Sequence, residues 1–503
     1  MKVNLMFRDR DFDIKAKPCF GKATLTSDLW LERVLSTMAQ EDKIIYNACS
    51  TALFCPLQSI EEIRYRQENL RDALRNPDAV RKLYEITVET EKKRKSSWFW
   101  LSSAYLSSIF SSAVGLLKIY IEMLMELRFV VDSKLSAFKS EGFCNLFTMI
   151  QRELDDDYFT KVQTLLNELK DNDSMLISAK LGNYLQGVSY VLRRKNRKGF
   201  WFRWAFAPSY TIAPRDDAGA TDLSKRRERA INEVTNALAQ AAEHLEGFFA
   251  TLRVELAFYI GCLNLADSLR ALRMPICIPN VLPLEQQDRS WLGLYDVGLA
   301  LTKNEAVVGN DLDTANKRLY IITGANQGGK TTFLRSIGQA QLMVQCGMFV
   351  GAESFTAPIR NSVFTHFKKE EDATMKSGKL DEELSRMSEM VDHLKPGSLM
   401  LFNESFSATN EREGSEICHQ ITKALIDCNV EVFSVTLLFT YASAFLNDPN
   451  TQFLRAQRLE NGDRTFRIVP GEPIQTAFGM DLYRKIFGDN CTAQISKKMM
   501  QKF

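Results

Sequence analysis

The chain has 503 residues, 45% hydrophobic and 25% charged, with 64 Lys and Arg against 62 Asp and Glu. At about 150 residues per domain this length predicts two to four domains with real cores, and the composition excludes a disordered, collagen-like or mainly membrane-embedded chain. A net charge of +2 excludes a uniformly basic nucleic-acid coat, so any nucleic-acid binding must use a local patch.

The opening stretch MKVNLMFRDRDFDIK is too charged for a secretory leader. The cysteines are scattered without a C-x-x-C pair, which suits free thiols in a reducing cytoplasm better than a zinc cage or a disulfide framework. Up to about residue 275 apolar residues recur every three or four positions, as in Trp30, Leu31, Val34, Leu35 and Met38, which predicts an almost entirely helical region. Residues 96–117 carry no charge and follow Lys92, Lys93, Arg94 and Lys95, as a membrane span would. Their serine content instead favours a loop followed by a buried helix, and no stable membrane insertion is expected.

Between about Arg193 and Thr221, dense positive charge, aromatics, Pro208, Pro214 and Gly219 predict a short hairpin or loop protruding between helices. Arg193, Arg194, Lys195, Arg197 and Lys198 are followed by Phe200, Trp201, Phe202, Arg203 and Trp204. Cations bind phosphates without reading sequence and aromatics stack on exposed bases, so this cluster suits DNA. A charged loop pinned by its aromatics, or contact with an anionic membrane, accounts for the same composition. From about Arg226 to Leu272 one apolar stripe predicts a helix of about 45 residues, near 65 Å at about 1.5 Å per residue, with a bend or break open at Gly247 and Gly261. Such a helix is a strut or lever. After Pro275 the apolar runs 318–323, 398–403, 430–436 and 465–469 alternate with helical stretches, predicting an α/β domain with a largely parallel sheet. The predicted organisation is therefore a helical core and lever domain over 1–275, with a small insertion at about 193–221, and an α/β domain over 276–503.

The strongest chemical signal is Gly324, Ala325, Asn326, Gln327, Gly328, Gly329, Lys330, Thr331 and Thr332, which fits G-x-x-x-x-G-K-[ST] between a predicted strand and a helix beginning near Thr332. Glycines let main-chain N–H groups turn toward phosphate oxygens, and the helix N-terminus adds positive potential. Lys330 is placed to neutralise the β and γ phosphates of ATP, and the Thr331 hydroxyl to ligate Mg²⁺. The apolar run ending in Asn403 and Glu404 supplies the other half: Glu404 as the base orienting water, and Asn403 where a carboxylate would ordinarily help hold the metal.

The stretch ITGANQGGKTTFLRSIGQAQLMVQCGMFVGAESF resembles the MutS mismatch-repair ATPases, whose phosphate loop reads TG-x-N-x-GGK-[ST] and leads into a similar helix. Val308, Gly309, Asn310 and Asp311 resemble the segment that packs near the nucleotide base. Residues 403–414 take the place of the family's DE-LGRGT-S-x-x-DG segment, and IEEIRYRQENLRDAL (60–74) resembles its I-x-x-R-Q-x-x-V-x-x-L pattern. The resemblance implies an ABC-type ATPase domain that homodimerises around ATP. Ser377 or a backbone N–H of Gly378, at the start of the helix LDEELSRMSEM, would reach the γ-phosphate of the opposite subunit; an ordinary capped surface helix is the plainer account of the same residues. Two departures, Asn403 for the metal-side Asp and Leu437 for a phosphate-sensing His, imply binding of ATP with slow turnover. The chain begins almost at once with the core region, so the resemblance excludes the family's mismatch-reading N-terminal domains. The DNA is left undetermined among mismatched, branched and single-stranded forms, with a structural form (branched, damaged or single-stranded) preferred over a mismatch read by the usual wedge. A nucleotide-switched scaffold with weak or no ATPase activity and a protein or membrane partner is the alternative.

Overall fold

The computed structural model describes residues 1–97, 106–170, 176–193, 211–369, 378–459 and 463–473. In chain order the helices α1 (Lys22–Asp28), α2 (Leu31–Ala39), α3 (Lys43–Phe54) and α4 (Ile60–Arg75) come first, followed by α5 (Pro77–Ser97), α6 (Leu106–Lys134), α7 (Glu141–Glu153) and α8 (Asp156–Lys170). A hairpin, β1 (Leu176–Leu181) and β2 (Gly187–Arg193), precedes the long α9 (Asp217–Ala271). Strands and helices then alternate: β3 (Asn280–Leu282), β4 (Arg289–Leu294), α10 (Val297–Lys303), β5 (Asn310–Thr314), β6 (Leu319–Gly324), α11 (Lys330–Gln345), β7 (Ser354–Pro358) and β8 (Val363–Phe367). The last are α12 (Lys379–His393), β9 (Leu399–Asn403), α13 (Glu411–Asp427), β10 (Glu431–Val435), α14 (Phe439–Ser443), β11 (Thr451–Arg458) and β12 (Arg464–Pro470).

Contacts divide the chain into two compact units, Met1–Leu5 with Asn76–Leu256 and Met6–Arg75 with Ala257–Phe503. In the first, α6 buries Phe110, Ala113, Val114, Leu117, Tyr120 and Leu124 along one stripe, so the uncharged segment does lead into a buried helix. Ser111 Oγ donates to the Ser107 carbonyl, which satisfies a hydroxyl inside the helix itself. Arg94, at the end of α5, reaches Glu246 at 2.7 Å and Glu91 at 3.0 Å.

Two features of this region bear on the sequence expectations. A hairpin lies at 176–193, where Ile177, Val188 and Val191 supply β-branched residues and a Cβ on Gly187 would lie 2.4 Å from the Tyr190 hydroxyl. Of the hairpin or loop expected between about Arg193 and Thr221, residues 194–210 lie outside the described residues. Second, α9 begins at Asp217 and continues through Gly247 and Gly261 to Ala271. Gly261 serves close approach rather than a break, since the Cys49 Sγ atom sits 2.4 Å from where its Cβ would be. Among the described residues α9 is the one helix apolar and long enough to cross a membrane, and 78% of its most apolar window is buried inside the protein, as in a core helix.

The second unit contains a six-stranded sheet in the order β12-β11-β6-β10-β9-β8, parallel except for β12, and a four-stranded sheet in the order β3-β7-β4-β5. All six residues of β6 are buried, as expected of a central parallel strand covered on both faces. A buried ion cluster pins the start of β10: Glu431 accepts from Arg289 at 2.6 Å and from Arg360 at 2.8 Å. Removing Glu431 would strand two buried cations, the situation that makes such clusters costly to break.

Packing does not follow the division at residue 275. Helix α11 is buried nearly all round, and its polar side chains find partners in the N-terminal segment. Gln339 Nε2 donates to the Leu29 carbonyl at 2.9 Å and Gln345 Nε2 to the Leu57 carbonyl at 3.2 Å. Arg66 of α4 donates to the Cys346 carbonyl at 3.0 Å. Trp30 lies over the Arg335 guanidinium, 3.7 Å from ring centroid to carbon, while Arg335 pairs with Asp296 at 2.7 Å. These bonds bring residues 6–75 into the unit that holds the sheet.

Candidate functional site

The loop between β6 and α11 is shaped by what lies beside it. Strand β11 runs parallel to β6 with Ala456 opposite Gly324. A Cβ on Gly324 would meet the Ala456 nitrogen at 3.0 Å, and one on Gly328 the Ala456 Cβ at 2.7 Å. Gly324 and Gly329 also have φ of 109° and 90°, with Gln327 at 59°, so the backbone turns through left-handed conformations before the helix starts at Lys330. The helix starts two residues earlier than Thr332.

Lys330 is buried, and its Nζ donates to the Gly324 carbonyl at 2.9 Å and the Ala325 carbonyl at 3.0 Å. Burial holds its pKa below the ordinary lysine value; the Glu404 carboxylate opposes that shift and the Arg464 guanidinium adds to it. The ammonium is thus desolvated and favours an incoming anion. Thr331 Oγ1 donates to Asn403 Oδ1 at 2.9 Å, which joins the first turn of α11 to the end of β9. Glu404 follows, half-buried, in a left-handed turn at φ 52°, with its amide donating to the Val435 carbonyl at 2.9 Å. The fold therefore brings together Lys330, Thr331, Asn403 and Glu404, which are far apart in sequence. A hydroxyl and an amide oxygen side by side are hard oxygen donors of the kind Mg²⁺ accepts, but together they carry no negative charge.

Two neighbours were missing from the sequence reading. Arg464 Nε donates to the Asn326 carbonyl at 3.4 Å, and the Phe466 carbonyl lies 3.3 Å from where a Gly329 Cβ would be. Both belong to β12. Asn310 is committed to that strand: its Oδ1 accepts from the Ile468 amide at 2.6 Å and its Nδ2 donates to the Phe466 carbonyl at 3.5 Å. It holds β12 beside the loop with its own amide already bonded.

Elsewhere, Gly378 caps α12 in an extended conformation without a side-chain hydrogen bond, and Ser377 lies outside the described residues. Leu437 is 43% exposed just beyond β10. Arg193 ends β2 and donates to Ser178 Oγ at 2.9 Å, whereas Arg194, Lys195, Arg197, Lys198, Trp201 and Arg203 lie outside the described residues.

His366, at the end of β8, is fully buried. Burial, then the Arg386 charge, lowers its pKa from 6.5 to about 4. The unfolded chain therefore binds the extra proton between those values, and His366 contributes stability above pH 6.5 that is lost as pH falls toward 4. Relative to a His366→Gln variant, the parent should lose about 2 kcal/mol between pH 7 and pH 5 in urea titrations. A pH-independent difference between the two would show that the ring titrates in the folded protein as it does in the unfolded chain.

Comparison with known proteins adds a family. A model of the MutS2 N-terminal domain matches residues 58–272, and one of MutS domain V matches residues 320–461. The human protein called MutS protein homolog 4 is 24% identical over 244 residues, 45% of this chain and 26% of that protein. The DNA mismatch repair protein MutS of Porphyromonas gingivalis is 32% identical over 174 residues, 34% of this chain and 19% of that protein. The endonuclease MutS2 of Thermus thermophilus is 27% identical over 216 residues, 43% of this chain and 28% of that protein. The matched regions make up less than a third of each relative.

Proposed function

The chain belongs to the MutS family, and from that premise we propose that it is an ATP-binding, DNA-processing protein whose nucleotide site is the loop 324–332. The observation that carries the reading is the meeting of Lys330, Thr331, Asn403 and Glu404 beneath a glycine turn. In this reading the second unit is a P-loop ATPase of the ABC type that homodimerises around ATP. Main-chain amides of 325–330 and the Lys330 ammonium hold the β and γ phosphates. The Thr331 and Asn403 oxygens hold Mg²⁺, which supplies charge neutralisation at the phosphate oxygens. Glu404 orients a water for hydrolysis, and Gly378 with Ser377 at the start of α12 meets the nucleotide of the other subunit. Turnover is slow because Asn403 is neutral and Leu437 offers no proton or hydrogen bond. The protein acts in the cytoplasm without stable membrane insertion, and recovery without detergent is the check on the latter.

DNA contact is assigned to the basic and aromatic cluster Arg193, Arg194, Lys195, Arg197, Lys198, Trp201 and Arg203. Replacing the five cations of 193–198 with Gln should weaken binding and make the slope of log affinity against log salt shallower by about 4. An unchanged slope would remove the cluster from DNA contact. The decisive experiment is titration of purified protein with ATP·Mg²⁺, following its mass in solution, and then with duplex, mismatched, branched and single-stranded DNA. Nucleotide-dependent dimers with no DNA affinity would favour the second reading, a nucleotide-switched scaffold with a protein partner, for which the neutral Asn403 and apolar Leu437 speak.

A further inference from the structure

A second buried polar cluster lies behind Glu404, outside the phosphate loop. His366 Nε2 is 3.0 Å from the Glu383 carbonyl and Nδ1 is 2.8 Å from Ser405 Oγ, which also lies 2.6 Å from the His366 carbonyl. The Glu383 carbonyl can only accept, so Nε2 carries the ring proton and Nδ1 is an acceptor. The single hydroxyl hydrogen of Ser405 is then shared by two acceptors of one residue. The ring also stacks on Phe406 at 5.0 Å between centroids. Helix α12 is tied to the same region once more, by Arg386, which donates to the Phe367 carbonyl at 3.2 Å.

These ties hold a backbone that would not hold itself. Glu404 and Phe406 have φ of 52° and 56°, a conformation that disfavours side chains and persists only when its surroundings enforce it. An apolar pair at 366 and 405 would fill the same space without direction. A bonded imidazole and hydroxyl, which cost desolvation unless fully satisfied, fix both distance and orientation.

We propose that His366 and Ser405 are positioning residues that make the turn bearing Glu404 and the first two turns of α12 move as one body, so that docking of the α12 N-terminus on a second copy's nucleotide sets the orientation of Glu404. The inference rests on the ATP-dimer reading above and adds to it a control point far from the phosphates in sequence. Neither residue touches the phosphate loop, so nucleotide affinity and the later steps separate.

The test uses the full chain, with Ser405→Ala and His366→Gln, a fluorescent ATP analogue for affinity, sedimentation for ATP·Mg²⁺-dependent self-association, and steady-state hydrolysis. Both variants should bind the analogue within about twofold of the parent while self-association and kcat each fall at least tenfold. Ser405→Thr, which keeps the hydroxyl, should recover most of the loss. Unchanged kcat and self-association in both variants overturns the relay alone, as does an equal loss of nucleotide affinity, which marks a general structural role. A parent that binds no nucleotide overturns the reading of the site itself, and the relay with it.

Discussion

Lys330→Ala is expected to lower affinity for ATP about a thousandfold while leaving the melting temperature nearly unchanged. A charge-assisted hydrogen bond to a buried group contributes about 1.5–3 kcal/mol, and one ammonium facing two phosphates makes at least two of them. Roughly 4 kcal/mol corresponds to a factor of about 10³. Without nucleotide the same group gains little, because burial lowers its pKa and its bonds are to two loop carbonyls that the helix N-terminus does not need. Most of what Lys330 gives up in desolvation is recovered only when phosphate arrives. Calorimetric titration with ATP·Mg²⁺ alongside thermal unfolding checks both halves. Affinity retained within about threefold would remove Lys330 from phosphate binding, and a large fall in melting temperature would make it a structural lysine.

The parts of this site that could be read from sequence are those written in consecutive residues. A buried strand, a glycine turn and a Lys-Thr pair at the start of a helix lie together between 319 and 332, so local pattern located the loop. The apolar run ending at Asn403 and Glu404 was legible for the same reason. What sequence could not supply was adjacency. Arg464 and Phe466 reach the loop only because β11 inserts beside β6 and β12 folds back on it, and strand order is not encoded in any short window. Gln339 and Gln345 carry no local sign of burial, yet both are buried and bonded to main-chain carbonyls of the N-terminal segment. That is why a boundary drawn where helices give way to strands differs from the boundary drawn by packing. The hairpin at 176–193 was hidden differently. Its strands are short and largely exposed, so their alternation was weak beside the strong charge signal that follows. His366 and Ser405 are separated by 39 positions, and nothing in either local sequence marks them as partners.

Asn403→Asp is expected to raise Mg²⁺-dependent ATP hydrolysis by about 10- to 100-fold, the range over which a single partner of a metal site alters activity. The geometry needed is already present, since Asn403 Oδ1 sits 2.9 Å from Thr331 Oγ1 and the residue ends a strand flanked on both sides by parallel neighbours. The substitution is nearly isosteric and changes charge alone. An amide oxygen offers a dipole to a divalent cation, whereas a carboxylate offers a full charge in a site where little water competes. The same charge has an opposite effect before the metal binds, because Asp at 403 would stand next to the Glu404 carboxylate and like charges repel. The variant should therefore melt lower than the parent in EDTA and recover on adding Mg²⁺ with nucleotide, while the parent responds much less. Joint movement of rate and metal-dependent stability would identify residue 403 as the element that limits turnover. A faster rate with no Mg²⁺ effect on melting would instead point to better alignment of Glu404, and the absence of both would mean that the metal is held elsewhere.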